Sequence, residues 1–179
     1  MSQLKVNSIV PSGGLPAGAS GGIIQVVQTI KSDTSAAAGP TFVDSGLSVT
    51  ITPQSSSSKI LIIADMNMGN TVAYDSKLRL VRDSTDIYLG DTDGTRPRVT
   101  RTVNTHPPSS YGQYHNVPAQ IVFLDSPTIT PGSPITYKIQ MAAVTGYTTY
   151  LNRSSANQQS AGEYDGKPAS SIMAMEVSG

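Results

Sequence analysis

The sequence has no cysteine and no tryptophan, only two phenylalanines, and no excess of either charge: 12 acidic and 12 basic side chains stand among 179 residues. Without cysteine there is no disulfide framework, no thiolate metal centre and no cysteine nucleophile, so stability must come from packing or from partner chains. The balanced charge, with charged residues at 13% of the chain, argues against nucleic acid or an anionic membrane held by counterion release. Glutamate is nearly missing, with Glu163 and Glu176 against ten aspartates. Aspartate belongs to turns and glutamate to helices, so the shortage points away from helix. No apolar run approaches the ~20 residues of a membrane-spanning helix, the longest being Ile60–Met66. The residues from Met1 to Asn7 lack the basic start and apolar core of a secretion signal.

What is present in quantity is serine and threonine, 42 together, with 16 Gly and 12 Pro. At 18.7 kDa a single core burying about two-thirds of the chain's surface is expected, hence one domain. The chain divides into residues 1–22, an arm with a Gly-rich connector, and a body over 23–179. In the arm, Leu4, Val6 and Ile9 form a short apolar set too small for a core, which suits docking on a partner surface. The body is a succession of strand-like runs punctuated by Gly, Pro, Asp and Ser. They fall at Ile23–Ile30, Gly46–Thr52, Lys59–Met66, Lys77–Arg82, Asp86–Leu89, Arg98–Val103, Ala119–Leu124, Ile135–Ala142, Tyr147–Leu151 and Ser171–Val177.

Leu47, Val49 and Ile51 alternate with Ser48, Thr50 and Thr52, as a half-buried strand requires. Ile60–Ile63, Ile121–Leu124 and Ile172–Val177 are instead apolar on both sides. Such strands are expected centrally in a sheet, with one face on the core and the other on a neighbouring subunit. Leu61, Ile63, Val122, Leu124, Met173 and Met175 are the candidate subunit-interface residues. No segment carries a helical period, so the expected fold is an all-β antiparallel sandwich of jelly-roll or Greek-key type, with nine or ten strands and an extended N-terminal arm. Asp93-Gly94 and Pro131-Gly132 read as hairpin turns between strands.

Motifs for chemistry are scarce. There is no nucleophile elbow, zinc-protease helix or phosphate loop, and the glycines of residues 13–22 lack the lysine and helix a phosphate loop needs. His106 and His115 have no third ligand at metal-site spacing. Asp91-Thr92-Asp93-Gly94 opens like a calcium loop, but Thr102 stands where the bidentate glutamate belongs, so a tight turn is the better reading. Asp83, Asp86, Asp91 and Asp93 could supply a glycosidase pair, although aspartates at strand ends are what turns use. Asn152-Arg153-Ser154 satisfies a glycosylation sequon. No catalytic residue, cofactor or metal is expected. Tyr111, Tyr114, His115 and Tyr147 are the candidate surface or receptor contacts, since tyrosine offers a flat apolar face and one hydroxyl.

Gly22-Ile23-Ile24-Gln25-Val26-Val27-Gln28-Thr29, the stretch Gly46–Pro53 followed by Ser57–Ile62, and Leu80-Val81-Arg82-Asp83-Ser84-Thr85 with Gly90-Asp91 carry a resemblance, continued by Phe123–Pro127, Ile135–Gln140, Tyr150–Ser154 and Ile172–Val177. Across residues 22–177 the chain resembles a domain of virion structural proteins of tailed bacteriophages, marine and cyanobacterial ones especially. The resemblance implies a tail-fibre-like, non-enzymatic homotrimer on the particle surface, made in the host cytoplasm, partnered by other virion proteins and by a host-surface glycan or protein. No shaft, heptad or collagen-like repeat precedes the body, which raises a compact alternative, a decoration or cement protein of the phage head. A carbohydrate-binding lectin or glycan-degrading enzyme using Asp91 and Asp93 is the alternative from another class.

Overall fold

The computed structural model describes residues 22–71, 75–104, 112–158 and 165–179. Its elements in chain order are β1 (Ile23–Lys31), β2 (Ser35–Ala38), β3 (Val43–Ile51), β4 (Lys59–Asn70), β5 (Asp75–Arg82), β6 (Thr85–Ile87), β7 (Arg101–Asn104), a 3-10 turn at Gly112–Tyr114, β8 (Val117–Asp125), β9 (Ile135–Ala142), β10 (Thr148–Leu151) and β11 (Ser170–Val177). Two antiparallel sheets pack face to face, as the alternation in β3 and β9 requires. The six-stranded sheet has the order β1-β11-β4-β10-β2, with β8 on the other side of β4; the five-stranded sheet runs β3-β9-β5-β6, with β7 also on β5.

All ten expected strands are found, and β2 is an eleventh. Its sequence, Ser-Ala-Ala-Ala, has no β-branched or aromatic residue; it is extended because Ser35–Ala38 pair with Leu151–Thr148 of β10. β1 and β2 follow one another along one side of the sheet, and β10 and β11 follow one another along the next track, each pair interrupted once. Asn152 holds both interruptions. It is fully buried with φ 62°, donates to the carbonyls of Lys31 (2.7 Å) and Asp33 (2.9 Å), and accepts from the Ser170 hydroxyl. A glycan cannot reach that amide, so the sequon is a structural clasp.

The two expected hairpins are corrected. Pro131-Gly132 does form a turn, with Gly132 at φ 82°, but it links β8 to β9, which lie in different sheets. Asp93-Gly94 lies at the tip of an exposed excursion between Tyr88 and Thr100, because β6 and β7 each pair with β5 and not with one another. That excursion leaves and re-enters at one place, the Gly90 N–H bonding the Val99 carbonyl at 3.2 Å. The hairpin present joins β5 to β6 through Asp83, whose φ is 53° and whose carboxylate accepts the Thr136 N–H.

Between the sheets lie Leu47, Val49 and Ile51 of β3, Ile60, Ile62, Ala64, Met66 and Met68 of β4, Leu78 and Leu80 of β5, Ile139 and Met141 of β9, and Ile172 and Ala174 of β11. Each large aliphatic side chain removed from water contributes roughly 1.5–3 kcal/mol. Buried polar bridges cross between the sheets: Ser76 of β5 meets Thr149 of β10 and accepts from the Asn70 amide of β4 at one end, and Asp125 makes another. Asp125 of β8, 5% exposed, accepts from the Arg82 guanidinium with both oxygens (2.9 and 2.8 Å) and from the Tyr137 hydroxyl (2.8 Å), tying β8 to β5 and β9. Burial, and then the hydrogen bond and charge of Asp125, push the Tyr137 hydroxyl far above the usual phenol range, so it stays a donor.

Candidate functional site

Because side chains alternate across a strand, the even-numbered β4 residues Ile60, Ile62 and Ala64 fill the core while Leu61 and Ile63 point away from it. The registers place their neighbours. Val26, Met175, Leu61 and Leu124 form one row across β1, β11, β4 and β8; Gln28, Met173, Ile63 and Val122 form the next. All six residues expected at a subunit interface therefore stand on one face of one sheet, in two adjacent rows. Seven of the eight side chains in these rows are apolar and none is charged. Val26 is 51% exposed, Val122 57% and Leu124 46%.

Beyond one end of these rows lie Ile23, Val177 and Lys59; beyond the other lie Ile30, Ser171, Asp65 and Gln120. Lys59 and Asp65 are both exposed, and the Gln120 amide approaches Asp65 at 3.4 Å. Sequence reasoning missed the contribution of β1, where Ile23, Ile24, Val26 and Ile30 are all exposed. The signal was available, since Ile24, Val26 and Ile30 recur along one side of β1 while the other carries Gln25, Thr29 and Lys31 around Val27. It also placed Ile121–Leu124 centrally, whereas among the described strands β8 pairs only with β4 and is an edge strand. Its double apolarity reflects exposure at the rim rather than burial by strands on both sides.

Further along β4, Tyr150 sits beside Gly69 with the Arg153 guanidinium 3.8 Å over its ring. Gly69 is needed there, because a Cβ would run into the Arg153 carbonyl. Tyr114, His115 and Tyr147 belong to this same end: Tyr147 precedes β10, paired with Asn70, and Tyr114 and His115 precede Val117, paired with Met68. Tyr114 and Tyr147 are half-buried and His115 is exposed. Five residues along β4 from Ile63 to Met68 put this group about 17 Å from the apolar rows, so the two candidate sets are separate. Tyr111, His106, Leu4, Val6 and Ile9 lie outside the described residues.

Several acidic side chains are engaged in structural pairs, while Asp91 is exposed with no ion pair among the described residues. Asp93 bonds Arg96 at 2.9 Å and Asp86 bonds Arg79 at 2.9 Å. Asp44 accepts from Lys138 and Gln140, which hold its carboxyl below the usual range. Glu176, fully buried on β11, accepts from the Gln25 amide (2.7 Å) and from the N–H groups of Gln54 (2.9 Å) and Ser55 (3.2 Å). Burial alone would raise its pKa, but the donors from Gln25, Gln54 and Ser55 outweigh it and hold the carboxyl below the ordinary value. Glu176 is thus an anchor for the β3–β4 connection. No protein-family model matches the chain, and no curated protein sequence matches it.

Proposed function

We propose that this chain is a non-enzymatic structural protein of a tailed-phage virion, a surface subunit of tail-fibre type that works in an assembly and is held to the particle by its N-terminal arm. The observation that carries the reading is the pair of uncharged, largely apolar rows at the centre of the outer face of the six-stranded sheet, a surface that water penalises and a neighbour would cover. The residues resembling phage virion proteins run through the strands that build this face, among them Ile23–Thr29, Lys59–Ile62, Phe123–Leu124 and Ile172–Val177. The aspartates that suggested calcium or glycan chemistry give a weaker basis, since Asp93 is neutralised by Arg96 and Asp86 by Arg79.

Peptide mass spectrometry of purified particles from the phage encoding this chain tests the reading; absence of its peptides from intact particles refutes it. Two variants then assign the duty. Deleting residues 2–10 strips a head cement from particles and lowers their resistance to heat or osmotic shock. Replacing Tyr114 and His115 abolishes host adsorption by an adhesin while particles still assemble.

A further inference from the structure

We infer that the outer face of the six-stranded sheet is self-complementary, and that two copies of this chain stack on it about a two-fold axis. The axis lies in the plane of contact and perpendicular to β4. Such an axis leaves β4 over β4 and β8 over β8 but reverses the order of rows. Val26, Met175, Leu61 and Leu124 of one copy then meet Gln28, Met173, Ile63 and Val122 of the other, side chains from the two adjacent rows of the one sheet. Aligned sheets stack about 10 Å apart with interdigitating side chains, the geometry already present between the two sheets of the sandwich.

Charge favours the same occupant. Lys59 and Asp65 lie on the outer side of β4, one beyond each end of the two apolar rows, equally distant from their midpoint. Reversing the rows brings Lys59 of each copy over Asp65 of the other, closing two opposite-charge pairs at the rim. Lys59 has no ion partner among the described residues. A partner with a charged surface gains nothing from the centre of this face, and a chain with zero net charge does not repel its own copy.

The area suffices. Four strands at ~4.8 Å and four rows at ~6.8 Å span about 500 Å² per copy. Two copies bury about 1,000 Å², the lower bound of a specific interface. This inference rests on the assembly element of the proposed function and not on the virion, and it gives a two-fold contact where the resemblance implied a three-fold one.

The test uses the full chain at micromolar concentration in analytical ultracentrifugation. The wild type sediments as a dimer, and the Val122→Lys/Leu124→Lys variant as a monomer with an unchanged far-UV spectrum. Lys59→Glu weakens the dimer about tenfold by opposing two carboxylates, and adding Asp65→Lys restores it. A monomeric or trimeric wild type overturns the inference. So does a dimer indifferent to the lysine pair, a charge swap without rescue, or a dimer lost only on deleting residues 2–21, which would make the arm the contact. A dimer with working charge swap in a protein absent from particles would leave this inference standing and remove the virion reading; a monomer present in particles would do the reverse.

Discussion

On the outer face of the five-stranded sheet, Asp44 takes hydrogen bonds from Lys138 and Gln140, Thr50 meets Thr136 at 2.9 Å, and Arg79 pairs with Asp86 while lying 3.8 Å over the Phe42 ring. On the outer face of the six-stranded sheet, the two central rows hold Val26, Met175, Leu61, Leu124, Met173, Ile63 and Val122, with Gln28 the one polar member. Both faces are built from strands of similar length with the same alternation, and both look away from the same core. The difference lies only in which residues occupy the outward positions. The first face satisfies itself within the chain and has little to gain from a neighbour. The second can lower its free energy only by being covered.

The largest loss of stability should come from neither face but from the Asp125 bridge joining the sheets behind them. Asp125→Asn leaves Arg82 without its counter-charge, and chemical denaturation should show a loss of about 3 kcal/mol. A loss below about 1 kcal/mol would mean that the faces are less firmly coupled than the bridge implies. Glu176→Gln should cost about 2 kcal/mol by weakening charge-assisted hydrogen bonds.

Acid acts on the polar anchors and not on the apolar rows. The folded pKa of Glu176 and of Asp44 lies below the ordinary value, so each contributes stability that is present above its unfolded pKa of 4.5 or 3.8 and is lost as pH falls through the folded one. Denaturation midpoints should therefore fall as pH drops below those values, and Glu176→Gln should flatten part of that slope. The apolar rows contain no group that titrates. Dimer dissociation measured over the same range should owe nothing to the centre of that face.

Asp44→Ala should cost only about 0.5 kcal/mol, diminishing in high salt, because that carboxylate is half exposed and screened. The smallest effect is expected from Val122→Thr, within about 0.5 kcal/mol when measured on dissociated chains. A larger loss there would show that Val122 packs within its own chain, and the contrast between the faces would disappear.

The sandwich was legible because hydrophobic alternation is a local signal. Leu47–Ile51 and Ile135–Met141 each carry it, and the doubly apolar runs of β4, β8 and β11 identified the outer face. Sheet order was not legible, since among the described strands β5 and β6 are the only consecutive ones that pair. Which of the apolar runs lay at an edge depended on those distant pairings, and β8 was misjudged for that reason. β2 escaped because alanines become a strand only where β10 supplies hydrogen bonds. Glu176 and Asn152 escaped for a related reason. Gln25 and Gln54 stand 151 and 122 residues from Glu176, and Lys31 stands 121 from Asn152, so neither motif exists along the chain.

The excursion between β6 and β7 has a practical meaning. Its ends are stapled by the Gly90–Val99 hydrogen bond, and Thr100 is fixed to β5 through the Leu78 carbonyl and the Leu80 N–H, while Gly90–Arg98 is exposed throughout. Doubling the length of a closed loop adds only about 0.6 kcal/mol of closure entropy. Foreign peptide spliced at Asp93-Gly94 would be displayed from the side of the five-stranded sheet without altering any strand register. The chain thus contains a graft point for epitopes or affinity tags, remote in its pairing from the face that two copies would share.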